Sequence, residues 1–272
     1  MLQLPSCLSY PFKGYISLLE FQELQQTLQL SEQKLIQHIM QCSHHFTHIP
    51  ISHFPVSAIV KTSRHNFYLG HNLEVRPLSL NHALHAEQSA IINAWMHNEK
   101  SITDIYISAM PCGHCRQFMT ELIQKKTFNI HVNDHCFDLH TLLPYPFTPQ
   151  HLNETMGIFN TPLQKYNHDN IELLLHLNAS YAPYSRNHAS VAIHTEQNII
   201  YGRSLESVAY NPSVSPLISA LNHLRYQEKN FNNIKKIILL EKNNATFSYI
   251  DSIKTFAKQY HISIKHQFTI IE

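Results

Sequence analysis

Leu84-His85-Ala86-Glu87-Gln88-Ser89-Ala90-Ile91-Ile92-Asn93-Ala94-Trp95, then Ile102-Thr103-Asp104-Ile105-Tyr106-Ile107, then Pro111-Cys112-Gly113-His114-Cys115, reads as helix, strand and helix in succession. Ala86, Ala90, Ile91, Ala94 and Trp95 recur at helical spacing, which puts His85 and Glu87 in a first turn. Ile102 to Ile107 is rich in β-branched and aromatic residues and reads as a strand. Beyond it, Cys115, Phe118, Met119, Leu122 and Ile123 form a second apolar stripe. The cysteine pair therefore opens a second helix, with Pro111 suited to its start.

This frame brings three metal-ligand side chains together, namely His85, Cys112 and Cys115. A structural zinc site takes four protein ligands, whereas a catalytic one uses three and leaves the fourth position to water. Glu87, two residues from the histidine, is not needed as a ligand and is placed to move protons on and off that water. Two sulfurs three positions apart on a helix lie about one turn apart and can share one ion. The positive ends of both helices favour thiolates and an anionic hydroxide. With 22 histidines in the chain, an isolated H-x-E means little. His194-Thr195-Glu196 has the same spacing, but it lies in a strand-like run from Ser190 to Ile200, and no cysteine follows Cys136. That triplet reads as strand and turn surface.

H-x-E followed by P-C-x-x-C is the mark of zinc-dependent deaminases. From Phe54 to Phe147 the chain resembles the long, two-domain form of bacterial cytidine deaminase, nearly continuously in His85-Ala86-Glu87-Gln88-Ser89-Ala90 and in Pro111-Cys112-Gly113-His114-Cys115-Arg116-Gln117-Phe118. Upstream, Gly70-His71-Asn72-Leu73-Glu74 resembles that family's G-x-N-x-E segment. The resemblance implies an α/β class fold, three-layered α/β/α and duplicated, with a mixed five-stranded sheet in the catalytic copy and a degenerate second copy. It implies one zinc ion per chain and hydrolytic deamination of cytidine and 2'-deoxycytidine to uridine and 2'-deoxyuridine, with release of ammonia, in pyrimidine salvage. It also implies a homodimer.

Residue by residue, the resemblance assigns proton transfer to Glu87 and metal binding to His85, Cys112 and Cys115. Asn72 and Glu74 would hydrogen-bond the ribose hydroxyls, Phe54 would pack on the pyrimidine, and the backbone of Ala86 would orient the reacting group. Phe147 would reach into the neighbouring subunit's site. The family's opening motif Y-S-x-F-x-V-G-A stands here as Ile51-Ser52-His53-Phe54-Pro55-Val56-Ser57-Ala58, with Ile51 and Ser57 in place of the tyrosine and glycine. On local grounds alone, Phe54 and Phe147 also read as core aromatics, and Asn72 and Glu74 as turn surface. Pro55 removes a strand donor and points to an edge or a bulge.

At 272 residues the chain is long enough for two cores. We expect an N-terminal helical segment over residues 1–30, a catalytic zinc-binding domain over 31–150 and a degenerate copy over 151–272. Ser31 can cap a helix to about Ser43, with strands following near 54–61 and 66–72. In the second half Asn170 can cap a helix to about Ala179, with strands at 189–194 and 198–204. Gly70-His71-Asn72-Leu73-Glu74 aligns with Gly202-Arg203-Ser204-Leu205-Glu206, and Ser89-Ala90-Ile91 with Ser219-Ala220-Leu221. That alignment puts Ser215 and Leu217 where His85 and Glu87 stand, so the second copy lacks the chemistry.

A formal net charge of +1 and no long basic run give no footprint for a nucleic-acid partner. No apolar run approaches a membrane span, and the first residues lack the features of a secretion signal. Of five cysteines, Cys7, Cys42 and Cys136 remain beyond the metal pair, which argues against a disulfide framework and for a reducing cytoplasm. Two other readings stay open. Cys112-Gly113-His114-Cys115 also suits a thiol-disulfide oxidoreductase. A structural zinc module would recruit His114 as fourth ligand.

Overall fold

The computed structural model describes residues 8–124, 127–228 and 230–270, so Cys7 lies outside the described residues. A two-residue strand β1 (Tyr15–Ile16) leads into α1 (Leu18–Leu28) and α2 (Glu32–Cys42). The Ser17 and Ser31 hydroxyls accept from the amides of Glu20 and Lys34, capping these helices as their positions dictate. The first half continues with β2 (Ser57–Thr62), β3 (Phe67–His71), α3 (Ala86–Met96), β4 (Ile102–Ile107), α4 (Gly113–Phe118), β5 (Asn129–Val132), β6 (His135–Phe137) and the single turn α5 (Leu139–Leu142).

Its strands lie in the order β1-β3-β2-β4-β5-β6, with only the β4–β5 pair parallel. The five-stranded mixed sheet of the expectation is β2 to β6. β1 adds a sixth strand, pairing Tyr15 with Tyr68 and Ile16 with Phe67, so the segment ahead of residue 31 is strand as well as helix. Pro55 is neither on an edge strand nor in a bulge. β2 opens two residues after it, lies between β3 and β4, and shifts register only at Lys61/Thr62.

The second half holds α6 (Ile171–Asn178), β7 (Ala189–His194), β8 (Ile199–Arg203), α7 (Pro216–Gln227), β9 (Lys236–Glu241), α8 (Ile250–Tyr260) and β10 (Ser263–Phe268). Its sheet runs β10-β9-β7-β8. Strand alternation sorts each sheet into two faces. Ala58 and Val60 join the core around α3, whereas Ile59, Phe67 and Leu69 pack on Leu35, Ile36 and Ile39 of α2. In the second sheet Val191 and Ile193 join Leu217 and Leu221 of α7, and Ala192 meets Leu173 and Leu177 of α6.

The inner faces of both sheets, with α3 and α7 in contact, form one continuous core. Each fully buried Leu or Ile there contributes roughly 1.5–3 kcal/mol. α3 is consequently buried on every side from Ala86 to Trp95. The two halves repeat even in their bridges: Leu73 pairs with His48 and Leu84, and Leu205 with Tyr181 and Val214. Both need glycine where strand meets helix. A Cβ on Gly70 would lie 2.2 Å from Ala86 O and Ala90 N, and one on Gly202 2.3 Å from Pro216 O and Ala220 N.

Candidate metal centre and substrate pocket

His85 is the N-cap of α3 and Cys112 the N-cap of α4, both extended residues at the end of a loop. The loop before His85 is pinned by reciprocal hydrogen bonds between Leu73 and Leu84, 2.9 Å each, which tie the Asn72–Glu74 segment to the residue before His85. Arg116 fixes the other approach: its Nε donates to Pro111 O at 2.8 Å and its Nη1 to Leu142 O at 2.9 Å. The two loops bring His85 Nδ1 to 3.3 Å from Cys112 Sγ. One donor atom each from His85, Cys112 and Cys115 lies within 4.8 Å of the others.

These donors fit zinc. Bonds of about 2.0 Å to nitrogen and 2.3 Å to sulfur in a tetrahedron separate these ligand atoms by about 3.5–3.8 Å, and one imidazole with two thiols is a set that suits this ion. Hydrogen bonding with the Cys115 thiol, then with His85, holds Cys112 down to about 3, in the thiolate form. That same hydrogen bond, then burial, pushes Cys115 up. His114 does not complete the set. Its ring stacks on that of His85 at 4.9 Å, and its Nε2 lies 3.3 Å from Gln88 Oε1. The structural-zinc reading thereby loses its fourth ligand.

A pocket of about 300 Å³ opens onto this cluster and is lined by Phe54, Asn72, Glu74, His85, Ala86, Glu87 and Cys112. Glu87 is 4% exposed, and burial pushes its carboxyl up from the usual range. Burial would also raise Glu74, but hydrogen bonds from Ser52 and from the Ile51 amide prevail and hold it below its ordinary value. The Ile51 and Ser52 amides donate to Glu74 Oε2 at 2.8 and 3.0 Å. Asn72 accepts from the Val56 amide at 3.0 Å and donates to Phe54 O at 2.9 Å, bracing the wall that presents the Phe54 ring. Phe54 is thus no core aromatic: it is 61% exposed at the pocket mouth.

Phe147 does not line this pocket. It is exposed, stacks on His151 at 4.9 Å, and its carbonyl accepts from Gln117 Nε2 at 2.5 Å. Ala109 and Met110, which sequence reasoning passed over, also line the pocket. Their position directly ahead of Pro111 was the available signal. Arg225 was missed without any local signal: from the second half, its Nη1 donates to Asn72 O at 3.1 Å. His194 ends β7, and Glu196 pairs with Lys235 at the surface, so this second H-x-E is strand and turn.

The second half rebuilds the pocket wall without the chemistry. Glu206 accepts from the Tyr184 and Ser185 amides at 2.9 and 3.0 Å, as Glu74 does from Ile51 and Ser52. Ser204 Oγ accepts from the Ala189 amide at 3.2 Å, in the manner of Asn72. Ser215 replaces His85 as the helix N-cap, buried Leu217 replaces Glu87, and Tyr249 caps α8 where Cys112 caps α4.

The family model for the cytidine and deoxycytidylate deaminase zinc-binding region matches residues 31–130, and a second model of that description matches residues 139–254. The chain is 38% identical over 237 residues to a cytidine deaminase of Shewanella frigidimarina, covering 85% of this chain and 80% of the relative. It is 42% identical over 208 residues to that of Shewanella amazonensis, covering 74% and 70%. Among solved structures, a cytidine deaminase from Burkholderia pseudomallei matches 43% of this chain and 100% of its own at 24% identity, with a TM-score of 0.37. Two family-model matches that together span most of the chain, on a fold whose halves repeat one another, place this chain in the cytidine and deoxycytidylate deaminase family.

Proposed function

We propose that the chain deaminates free cytidine and 2'-deoxycytidine hydrolytically, giving uridine or 2'-deoxyuridine and ammonia. The observation that carries this reading is Glu87: a buried carboxylate beside three metal donors, at the inner end of a pocket whose rim offers Phe54 and the Asn72–Glu74 pair. His85, Cys112 and Cys115 would hold zinc, which supplies when bound a Lewis acid that makes water acidic near neutral pH.

Glu87 then carries a proton from the attacking water to N3 of the pyrimidine, so that water adds across the C4–N3 double bond. The same carboxylate moves the remaining hydroxyl proton to the exocyclic amine. The C4–N4 bond breaks, ammonia leaves, and C4 becomes a carbonyl. Phe54 packs on the base, the Ala86 backbone at the head of α3 orients the amino group, and Asn72 with Glu74 receives the ribose hydroxyls. A carboxylate at the sugar repels a nearby phosphate, which favours nucleosides over nucleotides.

The division at residues 31–150 and 151–272, with a helical segment ahead, belongs to this reading. So do a homodimer with two sites, a cytoplasmic place and a role in pyrimidine salvage. Among the described residues no helix is long and apolar enough to cross a membrane. Tyr145 and Phe147 are 98% and 46% exposed on the loop that Arg116 and Gln117 of α4 hold through Leu142 O and Phe147 O, which supports a role for Phe147 in a neighbouring subunit's site. Zinc-loaded protein is expected to release ammonia from both nucleosides and far less from cytosine or cytidine monophosphate. Glu87→Ala should keep its zinc and lose about 10²–10⁴-fold in turnover. Parent-rate turnover by that variant would remove Glu87 from the mechanism.

A further inference from the structure

A cavity of about 550 Å³, larger than the metal pocket, lies apart from it. It lies on the opposite face of the first sheet, between α2 and the ends of β4 and β5. Gln33, Gln37 and Gln41 recur every fourth residue on one face of α2 and line it together. Across from them stand Tyr106 and His131, register partners on neighbouring strands, their rings stacked at 4.4 Å and 10°. Both rings are held in place: His131 Nε2 lies 2.8 Å from Asp104 Oδ1, and the Tyr106 hydroxyl is bonded to Glu32. Asn133 and Asp134 close the far end in the β5–β6 turn.

No lysine or arginine lines the cavity; of its two histidines, His131 is tied to Asp104 and burial holds His44 toward its neutral form, so the lining favours an uncharged ligand over a phosphate or a carboxylate. Glutamine amides each offer a donor and an acceptor in one plane, the complement of the edge of a nucleobase. Aromatic rings suit a planar base, and an asparagine beside a carboxylate can take a ribose diol. The metal pocket combines the same three residue types in Phe54, Asn72 and Glu74. The volume falls within the range of small-molecule sites, roughly 300–1,000 Å³. Ile107 and Ser108 line this cavity, while Ala109, Met110 and Cys112, next along the chain, line the metal pocket. We propose that the Gln33-Gln37-Gln41 groove is a second nucleoside site, which takes an uncharged nucleoside without transforming it.

Methionine supplies separate reporters, because Met40 lines the groove and Met110 the metal pocket. Zinc-loaded protein carrying ¹³C-methyl methionine is titrated with uridine and with adenosine. The expected result is a saturable Met40 shift on its own binding curve, with a dissociation constant of about 1 mM or tighter for at least one of the two. In Gln37→Ala/Gln41→Ala, substitutions that keep the helix, that curve should weaken about tenfold while the uridine curve of Met110 stays put. A flat Met40, or one that merely follows Met110 and ignores the double substitution, overturns the second site and leaves the deaminase reading standing. A flat Met110 beside a titrating Met40 would count against the deaminase reading and leave the groove.

Discussion

Glu74 uses one carboxylate twice, accepting the Ile51 and Ser52 amides and facing the pocket. Glu74→Gln keeps the shape and removes the charge. Hydrogen bonds to a charged group are worth about 1 kcal/mol more than neutral ones, so kcat/KM for cytidine should fall roughly fivefold. Cytidine monophosphate should lose less, because the repulsion also goes; an unchanged ratio of the two kcat/KM values would separate Glu74 from sugar recognition. A second residue is tested through pH. Burial opposes ionisation of Asp104, but His131, Asn129 and Thr103 bring it down to about 2. Its folded value lies below the unfolded value of about 3.9. The stabilisation is therefore present above about pH 4 and lost as pH falls through the folded value. Urea titrations should find Asp104→Asn less stable by about 1–2 kcal/mol at pH 7, after discounting for partial exposure. The deficit should shrink as the pH is lowered toward 3; a deficit constant with pH would assign it to packing. His85, Glu87, Cys112 and Cys115 were legible in the sequence because local helix starts fix their relations. The bracing by Glu74 and Asn72 was not, since their partners at 51–56 reach them only when the sheet folds.

Helix starts decide which copy can work. Ser31 and Asn170 cap α2 and α6 as their sequence positions suggest, because a cap depends on neighbours within one turn. Length was harder to read. The apolar stripe from Cys115 to Ile123 suggests a longer helix, but α4 ends at Phe118 and tightens into a 3-10 turn over Met119–Glu121, where Glu121 binds the other half. Its carboxylate accepts from the Tyr181 and Tyr184 hydroxyls at 2.9 and 2.7 Å and from the Val208 amide at 2.6 Å. Residues that far away leave no trace in a local stripe. The same logic says that the second copy cannot be restored at one helix alone. Ser215→His with Leu217→Glu rebuilds the start of α7, yet Tyr249 still stands at the other cap, and among the described residues no thiol joins a metal-binding group there. Elemental analysis should therefore find one zinc per chain in the double variant. Its stability should drop by about 2–4 kcal/mol, because the new carboxylate replaces a fully buried leucine. Two zinc ions per chain would refute the argument.

Across the whole molecule, the silent half grips the working one through a cation that has no carboxylate partner among the described residues. The duplication itself was legible, because Gly202 and Glu206 keep the spacing of Gly70 and Glu74. The contacts it serves were not, since they join positions more than a hundred residues apart. Arg225 on α7 donates through Nη2 to Ser89 Oγ and Asn222 Oδ1, both at 2.5 Å, and through Nη1 to Asn72 O at 3.1 Å. All three acceptors are neutral, and the guanidinium is buried. Ser89 Oγ donates in turn to Asn222 Oδ1 at 2.7 Å, which locks α3 to α7 two residues beyond Glu87. Deleting the side chain in Arg225→Ala leaves a cavity and three acceptors short of a donor, a loss on the order of 3–5 kcal/mol. For a chain of this size the thermal midpoint should fall by about 5–10 °C. If the arginine also positions the Asn72 backbone, KM for cytidine should rise more than kcat falls while zinc stays at one per chain, and Arg225→Lys, which keeps the charge but not the fork, should recover only part of both. A destabilised variant with the parent KM would make Arg225 a structural lock alone. A variant as stable as the parent would mean that the two halves hold together without it.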